Sequence, residues 1–180
     1  MIPMWISRSS FRRSRFVKRA NLFHSNEKLM FLPFTKDLIT TTPFDQECRI
    51  LADRHYSRRT IGARQFCYSG RKLVLRNTEG TVLFVWMWPR FEMRMDGQIG
   101  FNCAIFRNES DRRSSDIILE AERFAFEKWG KNRMYTYVDP MKIKSNNPGY
   151  CYKIAGWKFS GISKGGKHLL IKYPEFSNRN

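Results

Sequence analysis

Acidic residues are scarce in this chain. Sixteen Asp and Glu stand against 33 Lys and Arg, a net charge of +17 over 180 residues. A balance that far from neutrality points to a polyanionic partner, nucleic acid above all, or to an acidic small-molecule ligand. Histidine is rarer still, at three. The four cysteines, at 48, 67, 103 and 151, form no CxxC pair, and no Cys/His spacing matches a zinc site. Whether a metal is used is left open. Cys67 and Cys103 lie among strand-like residues, where buried free thiols are common. The expectation is a reduced, cytoplasmic protein without disulfides. Cys151 is a weak candidate nucleophile, since only Lys153 lies near it in sequence to lower its pKa. No apolar run reaches the ~18–20 residues of a membrane span, and no repeat of ~20–50 residues is present. There is no GxGxxG and no Walker A glycine cradle.

What is present suffices for a core. The chain is 42% hydrophobic, with 15 Phe, seven Tyr and five Trp. Its length favours one domain plus a tail. Residues 1–43 read as a basic, poorly ordered arm, because no acid occurs before Glu27 and the stretch is rich in Arg and Ser. Such an arm suits nucleic-acid binding, and mitochondrial targeting is equally compatible with it. Residues 44–180 read as the folded domain.

Within that domain, Thr42 as cap and Pro43 at the first position predict a helix up to about Ser57. RKLVLRN, TEG and TVLFVWMWP predict a hairpin closed at Gly80, its second strand apolar enough to be covered on both faces. IGFNCAIFRNE predicts a strand in which Phe101, Cys103 and Ile105 alternate with Asn102, Ala104 and Phe106. SSDIILEAERFAFEKWG predicts the best helix of the chain, capped by Ser114 or Ser115 and stopped by Gly130. RMYTYVD predicts a strand parallel to the one at 99–108, since a helix joins them. A short helix and a final hairpin follow. The sum is an α+β class domain, an α/β-type mixed sheet flanked by helices.

Four places carry candidate chemistry. DRHYSRR, at 53–59, gathers His55, Tyr56, Ser57 and Arg58 within about one turn, an acid/base group beside a phenol and a hydroxyl. FRNESDRRSSD turns from strand to helix. There, helix amides beside Arg107, Asn108, Ser110 and Arg112 can hold a phosphate, and Glu109 is a candidate general base. Asp139 ends a strand where open sheets place ligands. After Pro140, Ser145 and Asn147 supply neutral donors and acceptors. Gly149 allows close approach to the backbone, and Tyr150 and Tyr152 lie on opposite sides of a helix start.

In this order of elements, and in NPGYCYKIAGWK near the end, the chain resembles the GNAT acyltransferase superfamily. That resemblance implies a splayed mixed sheet holding acetyl-coenzyme A or another acyl donor. The family's Gln/Arg-x-x-Gly-x-Gly/Ala pyrophosphate loop is missing, because RNESDRRSS stands there. HYSR, YVDP and NPGYCYKIAGWKFSG are similar to boxes of the phage Mu Mom-type DNA modification proteins. These are divergent GNAT-like proteins that modify adenine in DNA and protect it from restriction. The likeness implies that His55, Tyr56, Asp139 and Ser145 lie in the site and that DNA is the partner. Two other readings stand beside it: a non-catalytic nucleic-acid-binding protein on a degenerate acyltransferase fold, and a conventional acetyl-coenzyme A-dependent N-acetyltransferase.

Overall fold

The computed structural model describes residues 37–88 and 97–175. Most of the arm expected at 1–43, and most of FEMRMDGQ, lie outside the described residues. Those that are described form strands β1 (Leu38–Thr41), β2 (Arg71–Asn77), β3 (Val82–Trp88), β4 (Phe101–Asn108), β5 (Met134–Val138), β6 (Lys158–Ile162) and β7 (His168–Lys172). Helices α1 (Gln46–Asp53), α2 (Ser114–Trp129) and α3 (Tyr150–Ile154) complete them. The strands make one mixed sheet in the order β1-β2-β3-β4-β5-β7-β6. β4 and β5 are the parallel pair, as expected, and the other neighbours are antiparallel.

β1 was not expected. It pairs with β2 from Leu38↔Asn77 to Thr41↔Val74, so the sheet takes in residues assigned to the arm. Its start is held by a carboxylate from α2. Glu120 is 1% exposed, and its Oε1 accepts from the Asp37 and Leu38 amides, both at 2.8 Å.

β3 is covered on both faces because its side chains alternate between two apolar clusters. Val82, Phe84 and Trp86 pack with α2 residues such as Ile117 and Ala121. Leu83, Val85 and Met87 pack with Cys48, Leu51 and Ala52 of α1. Alternation on β4 breaks, against expectation. Trp86 pairs with Cys103 and Val85 with Ile105, which leaves Ala104 as an extra residue. A bulge of this kind puts two successive residues on one face. Ala104 and Ile105 accordingly both pack on the α1 side, while Cys103 and Phe106 both belong to the α2 side.

Two caps also differ from expectation. α1 is capped by Asp45, whose Oδ1 accepts from the Cys48 amide at 3.0 Å, and not by Thr42. The helix stops at Asp53, four residues early, because the chain turns at Arg54 to form the cleft loop described below. α2 is capped in position by Arg113, with no side-chain hydrogen bond to its amides. Ser114 accepts from Asn108 instead, so it is not available for capping. Gly130 ends α2 as expected.

Candidate active-site cleft

β4 and β5 pair only from Phe101↔Met134 to Cys103↔Thr136. Beyond that point β4 follows β3 as far as Asn108↔Val82, and β5 follows β7 as far as Val138↔His168. The two strands therefore splay, and the bulge at Ala104 lies where they part. At the last rung, Thr136 Oγ1 donates to the Cys103 carbonyl at 3.0 Å. The opening is a cleft of about 840 Å³, lined by β4, β5, α3 and the loop that follows α1.

That loop is built around Arg58. Its Nε reaches Asp53 at 2.7 Å, and its guanidinium donates to the carbonyls of Ala63 (2.9 Å) and Gln65 (3.3 Å). Asp53 also accepts from the Gly62 amide at 3.0 Å. Arg58 is thus an organiser of the cleft wall and has few donors left for a ligand.

His55, Tyr56 and Ser57 line the cleft as the sequence led one to expect. The His55 and Tyr56 rings stack at 4.4 Å. His55 Nδ1 accepts from the Ser57 amide at 3.2 Å and lies 2.7 Å from the Ser57 hydroxyl. An amide only donates, so Nδ1 carries no proton and the neutral ring holds its hydrogen on Nε2. Burial, with the charge of Arg107, lowers the His55 pKa to about 4. The ring therefore offers an N–H and is a poor base at neutral pH. Tyr56 crosses the cleft: its hydroxyl meets the Tyr137 carbonyl at 3.5 Å and the Asp139 amide at 3.4 Å. Burial raises its pKa, so it stays a phenol.

Tyr152 lies at the cleft floor, 6% exposed. Its hydroxyl is 3.2 Å from Cys103 Sγ. Burial raises the tyrosine well above the usual phenol range and pushes the Cys103 thiol up to about 12. Both groups stay protonated, and the tyrosine proton faces only a weak sulfur acceptor. Cys151 also lines the cleft, with its pKa raised by burial, which removes the thiolate a nucleophile needs. Tyr150 is 56% exposed and is not part of the lining.

Other expected site residues have structural partners. Glu109 is gripped by Arg54 (2.9 Å) and Arg107 (2.6 Å), and the Arg54 hydrogen bonds foremost hold its pKa down. Asp139 Oδ1 accepts from the Met141 amide at 3.0 Å, an Asx turn. Ser145 Oγ accepts from the Asn147 amide at 3.1 Å, again a local turn. Arg112 is engaged by Asp37 (2.9 Å) and Glu120 (2.8 Å) and does not await a phosphate. Asn108 lines the cleft and also ties its loop together, accepting from Ser110 and donating to the Arg112 carbonyl. Gly149 borders the cleft at φ 74, yet a Cβ there would strike Leu170 Cδ1. Packing on β7, and not ligand approach, requires the glycine.

Sequence reasoning missed Asn102, Thr136, Tyr68 and Lys167, all in the lining. Their signal was positional: Asn102 and Thr136 lie on the last rungs of the parallel pair. Among the described residues, no group of three or more His, Cys, Asp or Glu could hold a metal ion, and no helix is long and apolar enough to cross a membrane.

No protein-family profile matches the chain, and no curated protein matches it. Among solved structures it is similar to the aminoglycoside acetyltransferase AAC(6')-Ib, crystallised with coenzyme A and kanamycin. The match has a TM-score of 0.50 at 13% identity, covering 76% of this chain and 93% of that one. The fold is GNAT-like. At that identity the likeness speaks for architecture alone, and the site must be argued from its own residues.

The sequence resemblance implied an acyl-thioester donor, and the residues present can be tested against one. The splay fits the arm of such a molecule: past Cys103 no strand among the described residues pairs with β4 on its β5 side, which leaves an edge for an extended ligand. For the phosphate end, Ser114 at the start of α2 lines the cleft and Arg113 beside it is exposed. The glycine cradle is absent, and Asn108 and Ser110 already take two loop amides.

Proposed function

We propose that the protein is an acyltransferase that moves an acyl group from a thioester donor to a nitrogen acceptor in the β4–β5 cleft. The observation that carries this is the splay itself, with the Tyr152 hydroxyl at its floor. Bound there, a thioester would supply an activated acyl carbon and a thiolate leaving group. Tyr152 holds a proton throughout the neutral range and can give it to the departing sulfur. The edge of β4 at the Ala104 bulge orients the extended arm. Among the described residues no carboxylate lines the cleft and His55 is a poor base, so the acceptor nitrogen reacts in its neutral form and loses its proton to water, and water returns a proton to Tyr152.

The finer reading makes the acceptor a base in DNA, as in Mom-type modification. Its support is the net charge of +17 together with the sequence boxes. A duplex would then have to release the target base from its stack. A conventional small-molecule N-acetyltransferase is supported equally well by the fold. The presence of a deep cleft, and not a flat basic face, favours either over a purely binding role. Calorimetric titration with acetyl-coenzyme A tests the donor half, with saturable binding expected and none at millimolar concentration sinking it. Mass analysis of nucleosides from DNA co-expressed with the protein tests the acceptor half.

A further inference from the structure

The cleft has a charge of one sign. Among the described residues three cations line it, Arg58, Arg59 and Lys167, and not one Asp or Glu does. The nearest acids are engaged elsewhere: Asp53 with Arg58 and the Gly62 amide, Glu109 with Arg54 and Arg107, Asp139 in its own turn. Arg58 is held by its loop. Arg59 is exposed and Lys167 half-buried, and no partner is seen for either side chain among the described residues. They come from opposite sides, Arg59 from the loop after α1 and Lys167 from the β6–β7 turn beside β5.

Two further lining residues are unengaged. Tyr68 is 68% exposed in the lining of the opening. Asn102 is half-buried on β4 and its amide has no hydrogen-bond partner among the described residues. Cations for phosphate, an aromatic face for stacking and an amide for a base edge are the elements of strand recognition. A polycationic acceptor would meet like charge and no counter-ion.

We infer that the acceptor end of this cleft selects a nucleic-acid strand and rejects polycationic amines. Arg59 and Lys167 contact phosphates, Tyr68 stacks on a base, and Asn102 reads its edge. The inference rests on the transferase reading for the purpose of the site, and adds to it which residues choose the acceptor.

The test is fluorescence anisotropy of the full chain with a labelled single-stranded oligodeoxynucleotide across a salt series, beside calorimetry with kanamycin and with acetyl-coenzyme A. Arg59→Gln with Lys167→Gln should weaken oligonucleotide binding. It should also flatten the slope of log K against log salt by about 1.4, roughly 0.7 for each phosphate no longer neutralised. Tyr68→Ala should weaken binding by about five- to a hundredfold, the range for one stacked base. Kanamycin should give no saturable heat. An unchanged salt slope in the double variant, or saturable kanamycin binding, overturns the inference. Oligonucleotide results as expected, with acetyl-coenzyme A failing to bind the wild type, would remove the transferase reading and leave strand recognition standing.

Discussion

Acids are treated differently along the middle of α2 and at its N-terminal end. On the side away from the cleft, the helix carries Glu120 and Glu122, 1% and 4% exposed. Glu120 joins β1 and Arg112 to the helix. Glu122 accepts from Trp157 Nε1 at 2.7 Å and from Lys172 Nζ at 2.6 Å, which ties in β7. At its N-terminal end, α2 meets a cleft that no carboxylate lines among the described residues. Buried acids of α2 tie strands to the helix, while Arg59 and Lys167 line the opening with no acid beside them among the described residues. A composition averages over both regions and cannot show their separation.

The comparison is sharpest if a cleft residue changes rate without stability and a back-side residue does the reverse. Tyr152→Phe keeps the packing and deletes the hydroxyl. Acyl transfer should fall by on the order of 10²–10⁴-fold at nearly constant melting temperature. A fall in melting temperature with an unchanged rate would move Tyr152 to the architectural side. Glu122→Ala should do the opposite. It strands the Lys172 ammonium and the Trp157 N–H, at a cost of about 3 kcal/mol in thermal or urea unfolding. Glu122→Gln, which still accepts from Trp157, should cost less; equal losses would show that the charge pair carries the whole effect and the Trp157 hydrogen bond little of it.

Smaller effects are expected at the rim. Asp139→Asn keeps the Asx turn and should leave rate and melting temperature alone, while Asp139→Ala should cost about 1 kcal/mol. A rate loss with Asn would restore the carboxylate to the chemistry. Least of all, Glu109 has its pKa below the ordinary 4.5 in the folded state. Its stabilisation is therefore present above the unfolded value and is lost as pH falls through the folded one. Since the pair is partly exposed, the gap in stability between wild type and Glu109→Gln should be under about 1 kcal/mol at neutral pH and should close in acid. A rate defect in Glu109→Gln at neutral pH would instead make it a base.

Much of the architecture was legible because strong local signals agreed with it. The apolar run of β3 demanded cover on both faces, and α2 between two strands demanded a parallel pair. β1 was not legible: Leu-Ile-Thr-Thr is short and its hold on the domain is the distant Glu120. The bulge was hidden because Ile105 looks like any other residue of an alternating strand until register places it opposite Val85. Chemistry clustered in sequence singled out His55, Tyr56, Ser57 and Tyr152, which the fold brings into one cleft lining. The partners of Arg112 and Glu109 were not legible, for one physical reason. A charged side chain at a turn looks the same in sequence whether it faces a ligand or a neighbour 55 or 75 positions away.

The knot of hydrogen bonds around Arg58 has a consequence for how such a protein can diversify. Asp53 and Arg58 fasten one end of the loop, and the Ala63 and Gln65 carbonyls and buried Phe66 fasten the other. Between them, Ile61 stands 76% exposed and touches little. The segment is a cassette: residues at its tip can be exchanged or inserted while both ends stay seated. A lineage carrying this scaffold can therefore rewrite the chain at residues 60 and 61, beside the cleft lining, with the Asp53–Gly62 bond and the seven strands beneath left as they are.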